Sequence, residues 1–204
     1  MTMPTMTITA KDVAELRKRT GAGMMDCKKA LEENGGDMAK AAEWLRAKGI
    51  LKAEKRADRV VKEGRVEIYH HHNGKLAVMV EVACETDFVA RTDDFKTRCR
   101  DVAMHIASAA PLAVAAEDVP ADVVERERRI YLEQVAAEGK PEAVRGKIVD
   151  GKLKKFFSEV ALLEQPFVKD DKQTVGDLVK ALSGKTGENI QVRRFARFQL
   201  GESA

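Results

Sequence analysis

Two stretches of the chain come close to a phosphate-binding loop, and both fail on context. Gly146-Lys147-Ile148-Val149-Asp150-Gly151-Lys152-Leu153 fits the spacing GxxxxGK. Leu153 stands where a serine or threonine would hold Mg²⁺, and the stretch reads as helix interior with no strand before it. Gly184-Lys185-Thr186 has the right ending, but Val179 occupies the first-glycine position. His70, His71 and His72 are adjacent. Neighbours on a strand point to opposite faces, so the three cannot converge on one metal ion. His105 has no serine, cysteine or carboxylate at a spacing that would build a nucleophile and its base. Cys27, Cys84 and Cys99 are widely separated, with no CxxC pair, and read as buried reduced thiols of a cytosolic protein. These residues imply no catalytic set, no cofactor and no metal. They point away from an enzyme and toward a protein that acts by binding.

The candidates for binding are apolar. Met24 and Met25 sit side by side in a helix and cannot both face inward. At least one is expected at the surface, where flexible thioethers make an adaptable contact; partial packing of both in a small module is the competing reading. Asp87 and Phe88 fall on a turn at a strand end, where functional residues concentrate, although Phe88 could equally be core. Lys147, Lys152, Lys154 and Lys155 read as a solvated helix face, with contact to an acidic or RNA surface as the alternative.

Composition narrows the field further. The 204 residues carry 36 basic and 33 acidic side chains, a net charge of +3. That balance argues against a dedicated nucleic-acid binder. Aromatics are only 5%, so the core is expected to be aliphatic. No run approaches the ~18 apolar residues of a membrane span. The first ten residues lack a basic stretch and an apolar stretch, so no secretion signal is expected and the protein is read as cytoplasmic. Residues before about Thr7 read as a tail.

Several elements must position these residues. Thr9 and Asp12 predict a helix start, followed by Val13 and Leu16 on one face. Thr20-Gly21-Ala22-Gly23 ends that helix. A second runs from Met24 or Met25 to about Glu33, with Cys27, Ala30 and Leu31 inward. Asp37 caps a third, carrying Met38, Ala41, Ala42 and Leu45 and closed by Gly49. These make a three-helix domain over 1–49, then a basic helical linker over 50–63. From Gly64 the period becomes two. Val66 and Ile68 lie on one strand; Leu76, Val78, Val80 and Val82 lie on the next, joined through Asn73-Gly74. A two-residue loop would set Ile68 beside Met79 and Tyr69 beside Val78. A three-residue loop, His72-Asn73-Gly74, pairs Val66 with Val80 and Ile68 with Val78 and is favoured because it gives one clean apolar face. Thr92 caps a helix with Phe95, Cys99, Val102 and Ile106 inward, ended by Pro111. Pro120 and the break at Gly139-Lys140-Pro141 predict an antiparallel helical hairpin over about 120–163. A short helix from Val175 to Leu182 and a strand from Asn189 to Leu200 complete an α+β core over 64–204. In the last strand Arg194 and Phe195 break the alternation.

Two longer stretches now carry a resemblance. Thr20-Gly21-Ala22-Gly23-Met24-Met25-Asp26-Cys27-Lys28-Lys29-Ala30-Leu31 and Cys84-Glu85-Thr86-Asp87-Phe88-Val89-Ala90-Arg91 resemble, in order and separation, the two signatures of the elongation factor Ts family. Gly151 to Phe156 and Gln165 to Val168 are similar to the family as well. The resemblance implies a ubiquitin-associated-type three-helix domain, then an antiparallel sheet packed with helices and bearing a protruding helical hairpin. It implies a non-catalytic guanine-nucleotide exchange factor for elongation factor Tu, with Met24 and Met25 contacting the nucleotide-binding domain. Thr86, Asp87, Phe88 and Val89 are expected to form a second partner-binding site, with Phe88 inserted beside the switch region near the Mg²⁺ site; Thr86 either caps the turn or contacts the partner. Longer members carry a second sheet subdomain that this chain lacks, so a homodimer is expected to supply the missing half.

Overall fold

The computed structural model describes residues 8–20, 22–54 and 56–202. The expected tail before Thr7, Gly21 of the first helix stop and Lys55 of the linker lie outside the described residues. The protein is α+β, and the two parts meet directly.

The N-terminal module consists of α1 (Ala10–Thr20), α2 (Met24–Glu33) and α3 (Met38–Glu54). Thr9 and Asp12 form a reciprocal cap: the Thr9 amide donates to the Asp12 carboxylate at 2.9 Å, and the Asp12 amide donates to the Thr9 hydroxyl oxygen at 3.3 Å. That exchange holds the Asp12 carboxyl below its ordinary value, the threonine hydroxyl contributing most. Val13, Leu16, Cys27, Ala30, Leu31, Ala41 and Leu45 form the small core. Gly49 does not end α3, which runs through it to Glu54. Gly49 serves a close approach instead: a Cβ on Gly184 of the core would stand 3.1 Å from the Gly49 Cα, so the two helices touch backbone to backbone. Beside this crossing Arg46 pairs with Asp177 at 3.2 Å.

The core is a three-stranded antiparallel sheet, order β1–β2–β5, from β1 (Glu63–His70), β2 (Leu76–Cys84) and β5 (Gln191–Gln199). The inner face of β2 carries Val78, Val80 and Val82, packed with Phe95, Cys99, Val102 and Ile106 of α5 (Asp93–Ala109). Thr92 caps α5 as expected, accepting from the Phe95 amide at 3.3 Å. Before α5 lies one helical turn, α4 (Asp87–Ala90). α6 (Ala121–Ala137) and α7 (Glu142–Val160) form the hairpin, closed by Val135, Val149 and Leu153. The first of the near-miss phosphate loops lies inside α7, and the second ends α8 (Val175–Thr186). A two-stranded ribbon, β3 (Pro166–Phe167) with β4 (Asp170–Thr174), leads into α8; it is too short and polar to show a period.

The hairpin register differs from the favoured one. Val66 faces Glu81, Ile68 faces Met79 and Tyr69 faces Val78. The turn over residues 72–75 is closed by the His71 amide on the Leu76 carbonyl at 2.9 Å, with the Lys75 amide on the Asn73 carboxamide at 2.9 Å. A shift of one residue exchanges the faces of a strand. Here Glu67 and Tyr69 turn inward while Val66 and Ile68 turn out. Buried Glu67 is matched by Arg65 at 2.6 Å and by Arg100 of α5 at 3.8 Å, so this edge strand covers α5 with an ion pair instead of an apolar row. The break at Arg194 is a bulge: Val82 faces Val192, but Glu81 faces Arg194, leaving Arg193 unpaired.

His105 is buried where α5 meets the end of the hairpin. The Val168 amide donates to its Nδ1 at 3.2 Å, so Nε2 carries the proton and donates to the Gln165 carboxamide oxygen at 2.9 Å. Gln165 in turn donates to the Glu159 carbonyl at 2.7 Å. Burial holds the imidazole below its ordinary value near 6.5, the Gln165 bond opposing. In the unfolded chain this imidazole gains a proton as pH falls below about 6.5. The folded one resists, so stability is lost from there down toward the lowered folded value. The melting temperature is therefore expected to fall between about pH 7.5 and 5.5, and His105→Gln to flatten part of that fall. A slope indifferent to the substitution would remove His105 as its source.

Candidate functional site

The turn after β2 is built by polar groups acting on the backbone. Thr86 precedes α4 and its hydroxyl oxygen accepts from the Val89 amide at 3.4 Å. The same hydroxyl donates to the Glu188 carboxylate at 2.5 Å. The other Glu188 oxygen accepts from the Glu85 and Thr86 amides at 3.0 and 3.1 Å. Cys84 donates its thiol to the Thr86 carbonyl at 3.1 Å. Burial pushes that thiol up to about 11, with the Glu188 charge adding to the effect.

This scaffold sends neighbouring side chains in opposite directions. Val89 is buried and packs in the main core. Phe88, one residue earlier, is 79% exposed. Asp87 is also exposed and pairs with Arg91 at 2.8 Å, one helical turn on. Of the four residues singled out here, Phe88 and Asp87 are presented to solvent, Thr86 is the cap that shapes the turn, and Val89 anchors it from beneath. Val89 has its surface taken up by the core and presents almost none to solvent.

Met24 and Met25 open α2, 51% and 76% exposed. Cys27, Ala30 and Leu31 occupy the inward face at helical spacing, which leaves no room in the module core for both methionines. Nearby, the Lys48 ammonium donates to Asp26 at 3.1 Å and lies 4.6 Å above the Trp44 ring, tying α2 to α3.

Two features escaped the reading of the sequence. Glu188 and Asn189 lie about a hundred residues from the turn they hold, and only the fold brings them there. The outer face of the sheet was hidden by the register. It reads, row by row across β1, β2 and β5, Val66–Glu81–Arg194, Ile68–Met79–Ala196 and His70–Ala77–Phe198. Val66, Ile68, Met79 and Phe198 are all exposed.

No helix among the described residues is long and apolar enough to cross a membrane. Nor does any group of three or more His, Cys, Asp or Glu among them stand ready to hold a metal ion. All three cysteines are free and buried. Fold and site thus define an α+β protein with exposed apolar side chains at the start of α2 and on the polar-braced turn of α4.

Comparison with known proteins gives this class a family. The family described as Elongation factor TS matches residues 9–202. The chain is 56% identical to elongation factor Ts of Solidesulfovibrio magneticus, over 97% of this chain and 98% of that one. It is 57% identical to that of Carboxydothermus hydrogenoformans, over 96% and 90%, and 55% identical to that of Fervidobacterium nodosum, over 97% and 100%. The chain belongs to the elongation factor Ts family, a family of translation elongation factors.

Exposure separates Phe88 from Val89 energetically. Phe88→Ala is expected to change the unfolding free energy by less than about 0.5 kcal/mol, as a surface substitution does. Val89→Ala should cost about 2 kcal/mol through lost burial and a cavity. Urea titrations of both variants decide this; the reverse order would place the Phe88 ring in the core.

Proposed function

We propose that this chain is a guanine-nucleotide exchange factor for elongation factor Tu and acts by binding alone, in the cytoplasm where translation runs. The observation that carries the reading is Phe88, a large ring 79% exposed on a turn that is braced from behind. Exposed aromatics of this kind are costly to display and suit insertion into a partner.

In this mechanism the two exposed sites divide the work. Met24 and Met25 hold the nucleotide-binding domain of elongation factor Tu, their thioethers adapting to its surface. Asp87 and Phe88 enter beside the Mg²⁺ and phosphate site of the GDP form. A ring that inserts only when those contacts have loosened favours the nucleotide-free state. Coupling is reciprocal, so the factor weakens GDP as much as GDP weakens the factor. Burying the ring supplies roughly 1.5–3 kcal/mol, about one to two decades in affinity. The wider interface supplies the rest, and GTP then enters the emptied site.

The outer sheet face supports a second part of the reading, a homodimer. Its middle row, Ile68–Met79–Ala196, is apolar across the three strands, with Val66 on one side and Ala77 and Phe198 on the other, and the Glu81–Arg194 pair at 2.8 Å bounds it. A second copy applied about a two-fold axis would cover apolar surface with the same apolar surface.

Stopped-flow release of a fluorescent GDP analogue from elongation factor Tu tests the exchange reading. Strong acceleration is expected, blunted about tenfold or more in Phe88→Ala while docking is largely kept. Absence of acceleration at any concentration would overturn the reading, and equal loss of docking and exchange would overturn the division of labour. Sedimentation tests the dimer: twice the chain mass is expected at micromolar concentration, and Ile68→Lys should weaken association at least about tenfold by burying an unpaired charge. A wild-type chain that sediments as a monomer would end that part of the proposal.

A further inference from the structure

The Phe88 turn and the segment that leads from the three-helix module into the core grip the same two residues. α8 ends at Gly187, whose φ of +79° is the left-handed conformation that turns the chain sharply out of a helix. Glu188 and Asn189 follow at once. The Ser183 hydroxyl donates to the Glu188 carbonyl, fixing this corner to α8.

From that corner the bonds run both ways. Glu188 accepts from the Glu85 and Thr86 amides and the Thr86 hydroxyl. Glu85 answers: its carboxylate accepts from the Asn189 amide at 2.6 Å and pairs with Arg59 at 3.5 Å. The buried Asn189 carboxamide donates its two N–H groups to the carbonyls of Ala57 and Arg59, at 2.9 and 2.8 Å. Gln191 adds a third bond, to the Ala57 carbonyl at 3.0 Å. The segment so held is the one that joins α3 to β1. The module is held elsewhere too, where Gly49 of α3 meets Gly184 two turns or less before the same corner.

The Glu188 carboxylate is spent on the turn, the Asn189 carboxamide N–H groups on the connector, and the Glu85 carboxylate on both the corner and Arg59 of the connector. The bonds to the Glu85 and Glu188 carboxylates are charge-assisted, hence strong and geometrically selective, and a linked network resists partial opening. We propose that Glu85, Glu188 and Asn189 are positioning residues: they form a clasp that locks the Phe88 turn to the connector of the three-helix module, so that the placing of the module and the presentation of Phe88 move as one unit. The functional consequence rests on the exchange reading above. Docking through Met24 and Met25 then delivers Phe88 at a set distance and angle, without a search by a loose turn.

The test uses the full chain with Glu188→Ala, Glu188→Gln and Asn189→Ala. Two readouts need no partner: hydrogen exchange at the Glu85 and Thr86 amides, and trypsin cleavage after Arg59 or Lys62 in the connector. The clasp predicts crossed effects. Glu188→Ala should speed exchange at those amides about tenfold or more and also raise connector cleavage; Asn189→Ala should raise cleavage and also speed exchange at Thr86. Glu188→Gln keeps an acceptor for the two amides and should recover most of the protection, which separates positioning from failure to fold. Variants that each disturb only their own side of the joint would overturn the proposal.

The GDP-release assay supplies the third readout. Glu188→Ala should lower the maximal release rate more than it raises the half-saturating concentration, whereas Asn189→Ala should chiefly raise the latter. Identical losses in both variants would overturn the assigned roles. If the wild-type chain releases no GDP while the crossed effects appear, the exchange reading fails and the clasp stands. If it releases GDP and the crossed effects are absent, the clasp fails and the exchange reading stands.

Discussion

Val78, Val80 and Val82 on the inner face of β2 pack against Phe95, Cys99, Val102 and Ile106 of α5, and this contact sets the frame for the rest of the molecule. β2 is the central strand, so both of its neighbours take their register from it. It runs directly into Cys84, and α5 begins a few residues later. The intervening turn has both ends fixed by the same packed layer. Only residues 85–92 lie between Cys84 and Asp93, and the helical turn of α4, the Thr86 cap and buried Val89 restrict the conformations open to them. The display of Phe88 is thus a consequence of the valine row as much as of the cap at Thr86.

The core is small and aliphatic, and the chain nevertheless exposes much apolar surface: Met24 and Met25 at the start of α2, Phe88 on the single turn of α4, and Val66, Ile68, Met79 and Phe198 on the sheet. An isolated protein gains nothing from such display, since each side chain left in water forgoes burial. The polar groups around these positions show how the display is kept in order. Thr86 and Glu188 brace one turn, Lys48 and Asp26 tie α2 to α3, and the Glu67 ion pair keeps the edge strand facing as it does. Apolar side chains are shown outward, and polar contacts hold the backbone that shows them.

Much of this was legible in the residue order. Periodicity located the helices of the module, the valine row, the Thr92 cap and the helical hairpin, because each depends on residues within a few positions of one another. The two signatures marked Met24, Met25 and the Phe88 turn. The observed hairpin register differs from the expected one because patterning rewards a uniformly apolar inner face, whereas buried Glu67 satisfies its charge with Arg65 on the same strand face and, less closely, with Arg100 of α5, a polar solution that an apolar-alternation rule does not contain. Gly49 was read as a helix stop because a glycine with no visible partner looks like punctuation; its partner is Gly184. Glu188 and Asn189 stayed invisible for the same reason. Local order specifies elements, and contacts distant in sequence specify how those elements are joined.

The braced turn also bears on how a single ring can do useful work. Ordering a backbone residue costs roughly 1–2 kcal/mol, so a flexible loop of three or four residues would consume the roughly 1.5–3 kcal/mol that burial of Phe88 offers. Here that ordering is accomplished during folding, by Val89 in the core and by the carboxylate of Glu188. On the proposed reading the ring would meet its partner on a backbone already ordered, and its burial would remain available to bias the partner between two states. Only a differential contact can shift such an equilibrium. On that reading, a ring carried on a fixed backbone would create one by fitting a rearranged site and clashing with an unrearranged one. A mobile ring would adapt to both and distinguish neither.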